Sequence, residues 1–148
     1  MIAAIIEQDH EAGRELFADV GNAPEPAWDS RGDGMRILAA LWDDHGAVLE
    51  QAVFPRLSGV AGQGGVVEAL RLQQRRVFEL ATDLARRSAN HDADGRWLTD
   101  FEELKTVFDA QCLREMMELI PLIRDRVPPP DVAEMTRQAR ALRQARGH

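Results

Sequence analysis

The 148-residue sequence predicts an all-α protein, an up-down-up-down four-helix bundle with an additional short C-terminal helix. Three observations lead there. Apolar residues recur at steps of three and four through four long segments, strand-type alternation is almost absent, and clusters of Gly, Pro, Asp and Asn separate the segments.

The first helix is expected over about residues 2–20, with a core stripe of Ala3, Ile6, His10, Gly13, Phe17 and Val20. It ends in Gly21-Asn22-Ala23-Pro24-Glu25-Pro26, and a loop through Asp29, Ser30 and a Gly32-Asp33-Gly34 turn follows. The second helix, about 35–58, carries Leu38, Leu41, His45, Val48 and Ala52, then passes through Pro55 to the Gly-rich segment 59–65. The third, about 66–88, shows Val67, Leu70, Gln74, Val77, Ala81 and Leu84, and breaks at Asn90-His91-Asp92-Ala93-Asp94-Gly95. The fourth, about 96–126, shows Phe101, Leu104, Phe108, Gln111, Glu115, Leu119 and Leu122. Pro128-Pro129-Pro130 ends it, because each proline ring removes a backbone donor and crowds the preceding turn.

Residues 1–126 thus read as one bundle domain and residues 127–148 as a proline-led amphipathic helix. That helix sets Val132, Met135, Ala139 and Leu142 on one side and Arg137, Arg140, Arg143 and Arg146 around it. It is expected to pack on the bundle, or to mediate a homodimer or a partner-protein contact.

Composition narrows the function. The formal charge of -7 argues against nucleic acid, since holding phosphates takes a surplus of Lys and Arg on one face. Residues 131–148 carry about +2, which leaves the first 130 residues near -9. No stretch approaches the roughly 20 apolar residues of a membrane span. Lone Cys112 excludes an internal disulfide and a Cys-rich metal cage, and suits a reducing cytoplasm. Without Tyr there is no tyrosyl chemistry, so the available transition-metal ligands are His and carboxylates.

Each core stripe is apolar except at one level. Helices one and two place His10 and His45 there, and helices three and four place Gln74 and Gln111. At about 1.5 Å per residue, antiparallel neighbours carry all four side chains to nearly the same height. Glu115 follows Gln111 by four residues and still faces the interior. A buried carboxylate needs a partner or a metal, and two imidazoles with one carboxylate form the ligand set of many non-haem Fe(II) sites. Glu50 is the second carboxylate candidate. A straight helix points it away from the axis, whereas unwinding or a π-bulge before Pro55 would swing it inward.

These residues resemble a known family, the hemerythrin-like or HHE cation-binding domains. The likeness spans about residues 1–126. It is carried by Asp9-His10-Glu11, by the run from His45 through Glu50 to Phe54-Pro55, and by Gln111 through Glu115 to Pro121. Pro121 lies ten residues after Gln111, as Pro55 lies ten after His45. The resemblance implies a four-helix bundle holding a non-haem di-iron centre. His10 and His45 match ligand histidines, Glu50 and Glu115 approximate the acidic positions, and Gln74 and Gln111 replace the histidines of the third and fourth helices.

Three functional readings follow. In the first, iron or a related metal bound through His10, His45 and Glu50 or Glu115 serves sensing or oxidative chemistry with O₂, peroxide, nitric oxide or another small molecule. There Gln74 and Gln111 orient the bound species by hydrogen bonds. The second is a metal-free structural or protein-binding bundle whose polar layer satisfies itself. In the third, haem is held through His10 or His45, with room left by Gly13, Gly46 and Ala47. His91 and His148 read as solvated, Cys112 as a small packing residue, and Trp28, Trp42 and Trp97 as core or loop packing.

Overall fold

The computed structural model describes residues 1–23, 27–91 and 95–147. Helix α1 spans Ile2–Asn22, α2 Trp28–Val48, α3 Gln63–Ser88, α4 Trp97–Arg114, α5 Ile120–Arg126 and α6 Pro129–Ala145. A π-helical turn, Leu49–Val53, and a 3-10 turn, Phe54–Leu57, prolong α2. A second π-helical turn, Glu115–Leu119, joins α4 to α5, so one nearly continuous rod covers the expected fourth helix. The sequences expected before α2 at Pro24-Glu25-Pro26, in the Asp92–Asp94 loop, and at His148 lie outside the described residues.

The stripe of α1 is buried as its spacing requires, with Ile2, Ile5, Ile6, His10, Gly13, Phe17 and Val20 facing the interior. The core divides into two apolar clusters. One gathers Ile2 and Ile6 with Val53, Leu57, Leu70, Leu119 and Ile123; the other gathers Phe17 and Val20 with Met35, Trp42, Leu84, Trp97 and Phe108. The start of α1 therefore lies beside the ends of the α2 and α4 rods, and consecutive helices run in opposite directions, up-down-up-down. Among the described residues no helix is long and apolar enough to cross a membrane.

Two expectations need correction. The second helix begins seven residues before Met35, and Gly32-Asp33-Gly34 lies inside it instead of forming a turn. The glycines there serve close packing: a Cβ on Gly34 would come within 2.4 Å of Val20 Cγ2. Helix propensity lost at glycine is offset by the contact its small size permits. The Gly-rich segment expected to follow the second helix does reverse the chain, between α2 and α3, where Gly59 and Gly62 take φ +83 and +84.

Helix α6 packs on its own chain. Met135 and Ala139 enter the first apolar cluster, with Val132 and Leu142 against it. Arg56 reaches Asp131 at 3.4 Å, and Arg146 reaches Asp43 and Asp44 at 3.0 and 2.9 Å. Part of the apolar face of this helix thus packs within the bundle, with Val132 and Leu142 partly buried there.

Candidate metal centre

Between the two apolar clusters lies one polar cross-section. His10 comes from α1, His45 from α2, and Gln111 and Glu115 from α4 and its π-helical turn, and each is at most 1% exposed. Both imidazoles aim Nε2 at the same oxygen: His10 lies 2.9 Å and His45 2.8 Å from Glu115 Oε1. One ligand atom from each of the three residues falls within 4.8 Å of the other two. A carboxylate only accepts, so each of these hydrogen bonds puts a proton on Nε2, and a cation would take the place of those protons.

The rest of the layer holds this trio in place. His45 Nδ1 donates to Asp9 Oδ2 at 2.7 Å, and Arg143 from α6 donates to the other Asp9 oxygen. Gln111 Nε2 donates to Glu115 Oε2 at 2.9 Å and to Gln74 Oε1 at 2.7 Å, while Trp42 Nε1 donates to Gln111 Oε1 at 2.9 Å. Half-buried Gln74 in turn donates to the carbonyl of Trp42.

Arg143, Asp9, His45 and Glu115 form a row of alternating charge. Burial opposes a charged His45 ring, but facing Glu115 and Asp9 outweigh it and raise its pKa to about 9. Burial likewise opposes the Glu115 carboxylate, and the imidazoles of His45 and His10 hold it down at about 2. His10 differs from His45 in that, among the described residues, its buried Nδ1 has no hydrogen-bond partner.

Glu50 does not join the layer. The π-helical turn expected before Pro55 is present, yet the Glu50 side chain is 46% exposed and accepts two hydrogen bonds from Arg71, at 2.7 and 3.0 Å. The widening begins at Leu49, so Glu50 keeps the outward phase of α2 and only later residues are turned.

The space proposed for haem is filled. A Cβ on Gly13 would meet Phe108 at 2.4 Å, and one on Gly46 would meet Gln74 Nε2 at 2.6 Å. His91 is exposed and stacks on Trp28 with ring centroids 5.7 Å apart, and Cys112 is buried in the second apolar cluster.

Asp9, Trp42 and Arg143 belong to the site although sequence reasoning did not single them out as site residues. Trp42 lies three residues before His45, on the same face, and that spacing was a usable signal. Asp9 is one position off the His10 stripe and is buried because α6 covers it.

A buried pair of imidazoles and a carboxylate, supported by an outer ring of hydrogen bonds inside a four-helix bundle, defines a cation-binding bundle protein. The chain belongs to the hemerythrin HHE cation-binding domain family, which it matches over residues 1–123. No curated protein and no solved structure matches it.

The family implies a metal, typically iron, and the donor set decides how much of that centre these residues suit. His10, His45 and Glu115 supply two borderline nitrogen donors and one hard oxygen donor around one point, which fits a single divalent cation. They do not fit a pair of irons. Among the described residues, the remaining groups at this level are Gln74 and Gln111, with amide side chains, and Asp9, already committed to His45 and Arg143.

Proposed function

We propose that this protein is a mononuclear non-haem iron protein of the cytoplasm that senses or reacts with a small molecule such as O₂, nitric oxide or peroxide. The observation that carries the reading is the aim of two Nε2 atoms from separate helices at one buried Glu115 oxygen. Iron held by His10, His45 and Glu115 supplies open coordination positions and a redox-active centre.

The chain's own residues do the rest. Asp9 fixes the orientation and the Nδ1 proton of His45, as carboxylates do behind ligand histidines. Gln111 orients Glu115 through the oxygen that the histidines leave. Gln74 separates the layer from a surface cavity of about 360 Å³ lined also by Gly46, Phe54, Arg75 and Phe78, which offers a small molecule an approach. Trp42 packs beside His45 and His10, with ring centroids 4.3 and 6.4 Å away.

The test is metal analysis with an absorption spectrum of protein purified without chelators. Close to one equivalent of iron per chain and a ferrous nitrosyl spectrum with added nitric oxide support the proposal. Two equivalents, or a Soret band, overturn it.

A second reading has its own observation. Glu115 accepts from His10, His45 and Gln111, and this hydrogen-bonded cluster can hold helix register without a cation. Metal-free protein whose melting is unchanged by Fe(II) or Zn(II) selects this structural role.

A further inference from the structure

The helix that completes this site lies beyond the residues that define the family. The match ends at residue 123, and α6 begins at Pro129. Its last turns nevertheless reach the polar layer: Arg143 is 20% exposed and donates to Asp9, whose side chain is 2% exposed and whose other oxygen holds His45 Nδ1 at 2.7 Å. The chain of contacts runs from α6 to α1 to α2 and ends at Glu115.

We propose that Arg143 is a positioning residue for the cation site: it anchors Asp9, and Asp9 fixes the ring of His45 toward the point shared with His10 and Glu115. Arg143 holds one Asp9 oxygen and His45 the other, so the Asp9 rotamer is set from both ends by these two contacts. Arginine suits the task because its guanidinium stays charged, and it reaches Asp9 through one N–H, a contact that a lysine ammonium can also make. Two neighbouring contacts hold α6 without reaching Asp9. Arg56 pairs with Asp131 and Glu134 at the first turns of α6, and Arg146 pairs with Asp43 and Asp44 on the surface. They separate docking of the helix from action on the site.

This inference rests on the single-cation reading, and the experiment keeps the two apart. Cobalt(II) is titrated into the full chain and into Arg143→Ala, Arg143→Lys, Arg56→Ala and Arg146→Ala, followed by its visible ligand-field bands. Arg143→Ala is expected to weaken binding about 10- to 100-fold and to shift the bands, as loss of an outer hydrogen-bonded partner does. Arg143→Lys restores most of the affinity, and the two control variants bind as the parent does. Equal binding by Arg143→Ala and the parent, or equal loss in Arg56→Ala, overturns the proposal. Should Arg143→Ala fail to fold by circular dichroism, Arg143→Gln takes its place.

If the parent binds no cobalt, the cation reading fails by itself. The imidazole proton spectrum of the metal-free chains then decides on Arg143. A sheltered His45 Nδ1–H resonance present in the parent, Arg56→Ala and Arg146→Ala and lost in the Arg143 variant supports the positioning role. An unchanged resonance overturns it.

Discussion

Trp42 lies flat against His45, with ring centroids 4.3 Å apart and planes 20° from parallel. The same indole donates to Gln111, so one side chain touches both halves of the polar layer. A paramagnetic ion on His45 would sit close enough to quench it. Cobalt(II) or iron(II) should lower tryptophan fluorescence, and Trp42→Phe should lose most of that response. Quenching that survives intact in the variant places the metal elsewhere.

Glu115 is the common acceptor of His10, His45 and Gln111, so removing its charge leaves the buried His45 ring without one of the two carboxylates that face it. Glu115→Gln is expected to cost about 3 kcal/mol in urea unfolding of the metal-free chain. It should also abolish stabilisation by added Co(II). Unfolding curves with and without the metal read both effects.

The two shifted groups give opposite pH slopes. The folded pKa of His45, about 9, lies above its ordinary 6.5, so its contribution is complete below pH 6.5 and is lost as pH rises through 9. Folded Glu115, at about 2, lies below its ordinary 4.5, so its contribution is complete above pH 4.5 and is lost as pH falls through 2. The metal-free protein should therefore be most stable between these windows and lose on the order of 2 kcal/mol toward pH 9. Metal affinity should move the other way, rising with pH as Nε2 gives up its proton. Melting temperatures across the range check the first slope, and cobalt titrations the second.

Glu50 and Arg71 are a surface pair, with side chains 46% and 41% exposed. Glu50→Gln should leave cobalt affinity unchanged and alter stability by less than about 1 kcal/mol. A lost metal in this variant would mean that Glu50 turns inward on binding.

Gly13 faces the Phe108 ring, which a Cβ would meet at 2.4 Å. Gly13→Ala should destabilise by about 1–3 kcal/mol through overpacking, read as a lower melting temperature.

The helical period carried most of this site. His10, His45, Gln111 and Glu115 each fall on a stripe of otherwise apolar residues, and each is buried. Local spacing could not reveal Asp9 or Arg143, because their pairing joins residues 134 positions apart and depends on where α6 docks. The direction of Glu50 stays open in the sequence for a different reason. Pro55 favours local unwinding or a π-helical turn, but the phase of such a turn depends on the residue at which widening starts, and that follows from packing along the whole rod. The glycines at 32 and 34 carried a similar ambiguity, since glycine marks both turns and tight helix contacts.

The two wide turns are in step. One begins four residues after His45 and the other four after Gln111, and each is followed by a proline, Pro55 or Pro121. Each rod thus carries one surplus residue. Four α-type residues turn about as far as the five wide ones do, so deleting the surplus residue would restore a regular winding and leave the downstream phase nearly unchanged. Leu57 on the one rod and Ile123 on the other would keep the apolar cluster they now share. A single-residue deletion within 50–53 or 116–119 should therefore be tolerated better than one in a regular stretch of either rod, where everything downstream would spin by about 100°.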